Sequence, residues 1–225
     1  MSSLNLKAFG GLLNLTICLG LLIFGAAWTL NYWQGWVFIA AFMGSSLAIT
    51  LYLMKADPRL LERRVKAGVT AEKRIAQKVI QGVAGLAFIS TMVLPALDHR
   101  FRWSQVCWIA SVAGDCLVAA GFFIVYRVFK ENSFTSGVIE VGEGQEVVST
   151  GLYAVVRHPM YAGALILLAG APVALGSWWG LLMILPMLVV LMWRLTDEER
   201  FLVKNLPGYA EYRNKVRFRL VPMIW

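Results

Sequence analysis

Charge is the scarcest thing in this chain. Only 15% of its 225 residues are Asp, Glu, Lys or Arg, against roughly one quarter in ordinary soluble domains. The shortage is concentrated in blocks. None of these residues occurs between 8 and 54, between 79 and 97, or between 158 and 193, and between 103 and 126 the one exception is Asp115. Uncharged runs that reach the roughly 18–20 residues needed to cross a bilayer exclude a soluble domain. With 59% hydrophobic residues and a mean hydropathy of +0.65, the chain reads as an all-α integral membrane protein.

Other absences narrow the reading. The three cysteines, Cys18, Cys107 and Cys116, all fall in apolar stretches without CxxC spacing, which argues against a disulfide framework or a zinc site. No metal is expected. The N-terminal run has one preceding Lys and no small-residue cleavage site, so no cleaved signal is expected. There is no internal repeat and no low-complexity segment. No strand, glycine-rich turn and helix surround Gly142-Glu143-Gly144, so a Rossmann cofactor site is ruled out. The net charge of +8 comes with no nucleic-acid motif, and basic residues facing an anionic membrane account for it.

The apolar runs predict a bundle of about six helices at roughly 9–30, 34–54, 79–97, 104–126, 159–176 and 178–195. The last two form a tight hairpin around residues 176–180, and each is short enough that a re-entrant hairpin stays open. The whole chain, 1–225, is read as one membrane domain. Residues 1–129 supply membrane helices and an amphipathic loop. Residues 130–225 supply a small cytoplasmic cofactor-binding region. Nineteen of the 21 Lys and Arg residues fall on one side of this threading, leaving Arg100 and Arg102 on the other. That asymmetry predicts both termini in the cytoplasm and, in a bacterium, an inner-membrane location. Trp28, Tyr32, Trp33, Trp36, Trp103, Trp178 and Trp179 cluster at the opposite turns, as an interfacial belt does.

In the loop at 55–78, Leu60, Leu61 and Val65 are expected to face lipid from an amphipathic surface helix ending near Gly68, with Arg59, Arg63, Arg64 and Lys66 toward headgroups or water; a solvated connector is the alternative. The apolar flanks of 142–144 suggest a small β-hairpin over 138–148.

Two polar motifs bracket one long uncharged hairpin: Arg157-His158-Pro159-Met160-Tyr161 before it, and Asp197-Glu198-Glu199-Arg200 after it. Pro159 suits the first position of a helix, whose free N–H groups and positive dipole end would lie beside Arg157 and His158, a place for a carboxylate or phosphate. Arg157 as a plain membrane-edge anchor with His158 as a helix cap is the simpler alternative. Arg194 and Glu198 are spaced to pair along their helix, while Glu199 points about 100° away. An antiparallel hairpin returns these acids to the level of Arg157, and a basic and an acidic group at one depth suit the two ends of a zwitterion. Asp115 stands alone in mid-span, functional by default or satisfied by Ser111, Asn14 or Thr16.

Residues 151–163, Glu198-Glu199, the run from Gly208-Tyr209 to Tyr212, and Arg219 to Pro222 resemble, in that order, the C-terminal half of the isoprenylcysteine carboxyl methyltransferase family. That family is itself similar to the phospholipid N-methyltransferases. The resemblance covers roughly residues 130–225. It implies S-adenosylmethionine as cofactor, with Arg157, His158, Pro159 and Tyr161, through Gly163, holding its methionine portion. Glu198 and Glu199 would take polar cofactor groups and Tyr153 would line the pocket. Arg157, His158 and Glu199 would be the catalytic set. The implied partners are membrane lipids and a lipid-like or small apolar acceptor, a carboxylate above all. A carboxylate needs no base, whereas a thiol or amine would need His158 or a glutamate.

Two other readings stay open. Sterol reductases are similar around an Arg-His-Pro element and in an acidic, then Tyr-rich tail, which would imply NADPH. A non-enzymatic transporter or scaffold would centre on Asp115.

Overall fold

The computed structural model describes residues 3–66 and 74–224, so Gly68 lies outside the described residues. The described residues contain helices and turns, with no strand. In chain order the helices are α1 (Ser3–Ala27), α2 (Trp33–Ala56), α3 (Pro58–Lys66), α4 (Ile75–Phe101), α5 (Trp108–Glu131), α6 (Pro159–Ala174), α7 (Ile184–Asn205) and α8 (Tyr209–Lys215). Short 3₁₀ turns at Gly151–Ala154 and Trp179–Met183 precede α6 and α7.

Helices α1, α2, α4 and α5, and α7 with its preceding turn, are each long and apolar enough to cross a membrane. Helix α6 has 16 residues, about 24 Å at 1.5 Å per residue, which is short for a full span. It nonetheless crosses the bundle. The turn after it lies with the other two turns: Tyr32 donates to the Leu175 carbonyl, and Ser177 donates to the same Asp98 carboxylate that accepts from Ser104. The α6–α7 pair therefore runs from one end of the molecule to the other, which a re-entrant hairpin would not do.

Helices α5 and α6 approach closely through glycines seven residues apart on each strand of the pair. A Cβ on Gly114 would sit 2.3 Å from the Ala174 nitrogen, and one on Gly121 would sit 2.6 Å from the Gly163 carbonyl oxygen. Small residues at a helix–helix contact let backbones approach where lipid gives no hydrophobic drive. The seam fixes α6, and with it the start of the helix at Pro159, against α5. The large apolar core around Leu19, Phe38, Met92, Val118 and Leu175 fills the rest of the bundle interior.

Two expectations need correction. Leu60 and Leu61 do not face lipid: they are buried against Ala8, Leu53 and Phe129, with Val65 beside them. Asp57 caps α3, accepting from the Leu60 N–H at 3.0 Å, and turns its apolar face onto α1, α2 and α5. The strands expected at 138–148 are also absent. The turn forms, with Gly142 donating to the Gln145 side chain and Gly144 at φ +68°. Its apolar flanks, though, pack elsewhere: Val141 and Val147 lie on the cluster of Leu206, Tyr209, Tyr212 and Val216. The Gly137 carbonyl accepts from Gln81 and Arg194 on two different helices. The flanks are drawn onto the helices instead of onto each other.

Candidate functional site

The loop from α5 to α6 is built from its two ends. At its start the Glu131 carboxylate accepts from the Leu152 N–H at 2.8 Å. Gly151, at φ +55°, leaves room there, since a Cβ would sit 2.3 Å from that carboxyl group. Asn132 donates to the Tyr153 hydroxyl at 3.1 Å. At the other end Arg157 and His158 are gripped by the C-terminal segment: their N–H groups donate to the carbonyls of Phe218 and Arg219 at 2.9 and 3.0 Å. Pro159 then opens α6, as its missing N–H and fixed φ favour.

Across from this loop, three consecutive acids of α7 bind three different walls, as side chains about 100° apart on a helix can. Asp197 takes Arg74, at 2.8 Å, and Gln77 next to or on α4. Glu198 accepts from the Tyr161 hydroxyl on α6 at 2.6 Å. Glu199, buried, takes Arg157 Nε at 3.0 Å and His158 Nε2 at 3.2 Å on one oxygen, and Arg219 Nε at 3.2 Å on the other. His158 occupies the N-cap position of α6, but its side chain does not cap the helix; the imidazole reaches Glu199 instead. A buried carboxylate beside three basic groups has its charge compensated in place, and removing the carboxylate would leave the buried Arg157 without its counter-charge. Arg194 and Glu198 meet on the Tyr161 hydroxyl, which accepts from Arg194 Nε at 3.0 Å.

The C-terminal segment closes the site. Helix α8 turns back after Gly208, at φ +82°, and places Tyr212 to donate to the Tyr153 carbonyl at 2.8 Å. Burial pushes the Tyr153 hydroxyl up to about 12 and raises those of Tyr209 and Tyr212 above their ordinary value as well. All three stay protonated through the physiological range, and Tyr212 is the one whose donated bond is seen. The Tyr209 hydroxyl is buried without a hydrogen-bond partner.

These elements enclose a cleft that opens to solvent. Tyr153, Arg157, His158, Pro159, Tyr161 and Glu198 line it together with Met160, Glu140, Glu146, Tyr209 and Tyr212. Glu199 stands behind Arg157 and His158, not on the wall. Gly163 lies in the α5–α6 seam, with Gly121 and Ile124 against its α-carbon. Tyr209, Tyr212 and Arg219 were not among the residues expected to bind the cofactor, although the tail that carries them reads from sequence as either folding back over the pocket or binding the membrane. The tail's two tyrosines among basic residues were the signal, but sequence alone does not show which way the chain turns after Gly208. Asp115 is buried, and neither it nor the Ser111 hydroxyl has a hydrogen-bond partner among the described residues. Thr16 donates to its own helix at Leu12. Among the described residues no group of His, Cys, Asp and Glu is arranged to hold a metal ion.

No curated protein matches the chain. Residues 109–207, which carry α5, the site loop, α6 and α7, match the phospholipid methyltransferase family, which includes the isoprenylcysteine carboxyl methyltransferases, and the match supports an integral membrane methyltransferase.

Proposed function

We propose that this protein is an S-adenosylmethionine-dependent methyltransferase of the isoprenylcysteine carboxyl methyltransferase type, acting on a lipid-like or small apolar acceptor, a carboxylate above all. The observation that carries this reading is the cleft where Arg157 and His158, backed by Glu199, face Glu198 across Tyr161. A zwitterionic methionine end finds a cation and a carboxylate at one depth there. The cleft wall carries Glu140, Glu146 and Glu198 against Arg157 and His158. Such a balance suits a donor with a net positive sulfonium and disfavours the diphosphate of NADPH, which three carboxylates would repel. The orphaned Tyr209 hydroxyl gains a partner from a bound polar atom.

S-adenosylmethionine would supply an activated methyl group. Arg157 would hold its carboxylate through charge-assisted hydrogen bonds. Glu199 fixes the guanidinium and imidazole and is a positioning residue. Tyr153, Tyr209 and Tyr212 bury the cleft and exclude water. Displacement at a methyl carbon needs the nucleophile and leaving sulfur in line, so holding both reactants accounts for much of the rate. With a carboxylate acceptor the new O–CH₃ bond forms as the C–S bond breaks and its electron pair stays on sulfur. No proton moves, and no base is required.

The basic end of the bundle would face the cytoplasm, since it carries the bulk of the Lys and Arg residues. The test of the function is transfer from methyl-labelled S-adenosylmethionine by the purified protein in a total lipid extract. Base-labile label in the organic phase, as a methyl ester gives, is expected; no incorporation, or label stable to base, contradicts the carboxylate reading.

A further inference from the structure

We infer that the acceptor binds outside the cleft, in the groove between α1, α2, α3 and α5, as an anionic single-chain amphiphile whose carboxylate sits on Arg64 and Lys7. This rests on the methyltransferase reading for the acceptor's fate, though not for its binding. The groove has an empty volume of about 1000 Å³ and opens at the basic end of the bundle. Gly11, Leu15, Leu53 and Phe122 are among its apolar walls, and among the described residues Lys7 and Arg64 are the charged ones that line it, with Glu62 near enough to Lys7 to feel its charge. An apolar trough whose described lining carries two cations is complementary to a carboxylate on a hydrocarbon chain.

Arg64 is held for this role. Its guanidinium lies over the Phe129 ring, 5.2 Å from the centroid, and its planar fork of donors suits a bidentate carboxylate. Burial lowers the pKa of this guanidinium, and its charge also interacts with Tyr161 and Arg194. Groove and cleft are thus neighbours. Met160 joins them: it lines the cleft and packs on the cluster of Leu53, Leu61 and Phe129 that forms the groove's inner end. An acceptor carboxylate on Arg64 would lie beside Tyr161, at the wall of the donor cleft. Because α1, α2 and α3 lie outside the family-matched residues 109–207, this half of the chain would set acceptor choice.

The test uses full-length protein in nanodiscs of zwitterionic lipid with a diazirine-bearing palmitate. The expected label falls on peptides of α1, α2 and α5 and is displaced by unlabelled palmitate. Arg64→Gln with Lys7→Gln should lower it about tenfold, the worth of one charge-assisted hydrogen bond. Gly11→Phe should abolish it: no atom lies within 4 Å of a Cβ there, so the ring fills the groove without disturbing the fold. S-adenosylhomocysteine binding, read by calorimetry, should be unchanged in both variants. Label spread evenly around the bundle, or unaffected by the variants, means an annular lipid only and overturns the inference. Specific label on a protein that never binds S-adenosylhomocysteine leaves the groove standing and overturns the methyltransferase reading instead. Specific label with no methyl transfer to palmitate, by a protein that does bind it, overturns the groove as acceptor site.

Discussion

At the scale of single residues, the Tyr209 hydroxyl stands apart from the ion-paired groups of the site. Glu199 and Tyr161 have their partners. The Tyr209 hydroxyl has none, though it is buried on the cleft wall. A buried donor without a partner costs stability unless something arrives to accept from it. Tyr209→Phe should therefore leave the thermal midpoint of the ligand-free protein unchanged or slightly raised. S-adenosylhomocysteine binding should weaken about fivefold, the size of one hydrogen bond of about 1 kcal/mol. Thermal unfolding and calorimetry on the same preparation separate the two effects. Lost stability with unchanged binding would make Tyr209 a packing residue.

At the scale of elements, the α5–α6 seam sets where the site begins. Gly121→Ala puts a methyl group 2.6 Å from the Gly163 carbonyl oxygen and should destabilise by about 1–3 kcal/mol, as overpacking does. Gly20→Ala, on α1, meets no atom within 4 Å and should be neutral or stabilising, since alanine favours helix. Thermal unfolding in detergent reads both. The long uncharged helices were legible because length and hydropathy alone fix them. The convergence of Arg157-His158 with the acids after residue 196 followed from one antiparallel hairpin. Three things escaped. Side-chain direction on α3 depends on what α1, α2 and α5 leave open, so Leu60 and Leu61 looked lipid-facing and are buried. The flanks of Gly142-Glu143-Gly144 carry strand-like residues, yet packing on α7 and α8 outweighs pairing with each other. Gly163 stood beside the Arg-His-Pro motif and looked like part of a cofactor loop, whereas its missing side chain serves close approach to Gly121, a constraint that only the partner helix reveals.

The whole molecule is an apolar bundle with chemistry at one end and aromatics at the other. Large apolar side chains such as Leu13, Leu21, Leu86, Leu185 and Val189 are exposed on its sides, where lipid would cover them. Trp28, Trp33, Trp103, Trp178 and Trp179 are exposed at the end opposite the cleft. If the basic end is cytoplasmic, a cysteine placed at Gln105, in a protein stripped of Cys18, Cys107 and Cys116, should react in intact cells with a membrane-impermeant maleimide. One placed at Glu143 should react only after lysis. The reverse pattern would invert the topology.

The central claim is that residues 41 positions apart form one donor cradle, joined where His158 meets Glu199 at 3.2 Å. A double-mutant cycle on S-adenosylhomocysteine binding, by calorimetry with Arg157→Ala, Glu199→Gln and the pair, tests it most directly. Both single variants should weaken binding, and the pair should lose less than their sum by at least about 1 kcal/mol, as groups acting as a unit do. Strictly additive losses, or a wild-type protein that does not bind S-adenosylhomocysteine at all, would contradict the account.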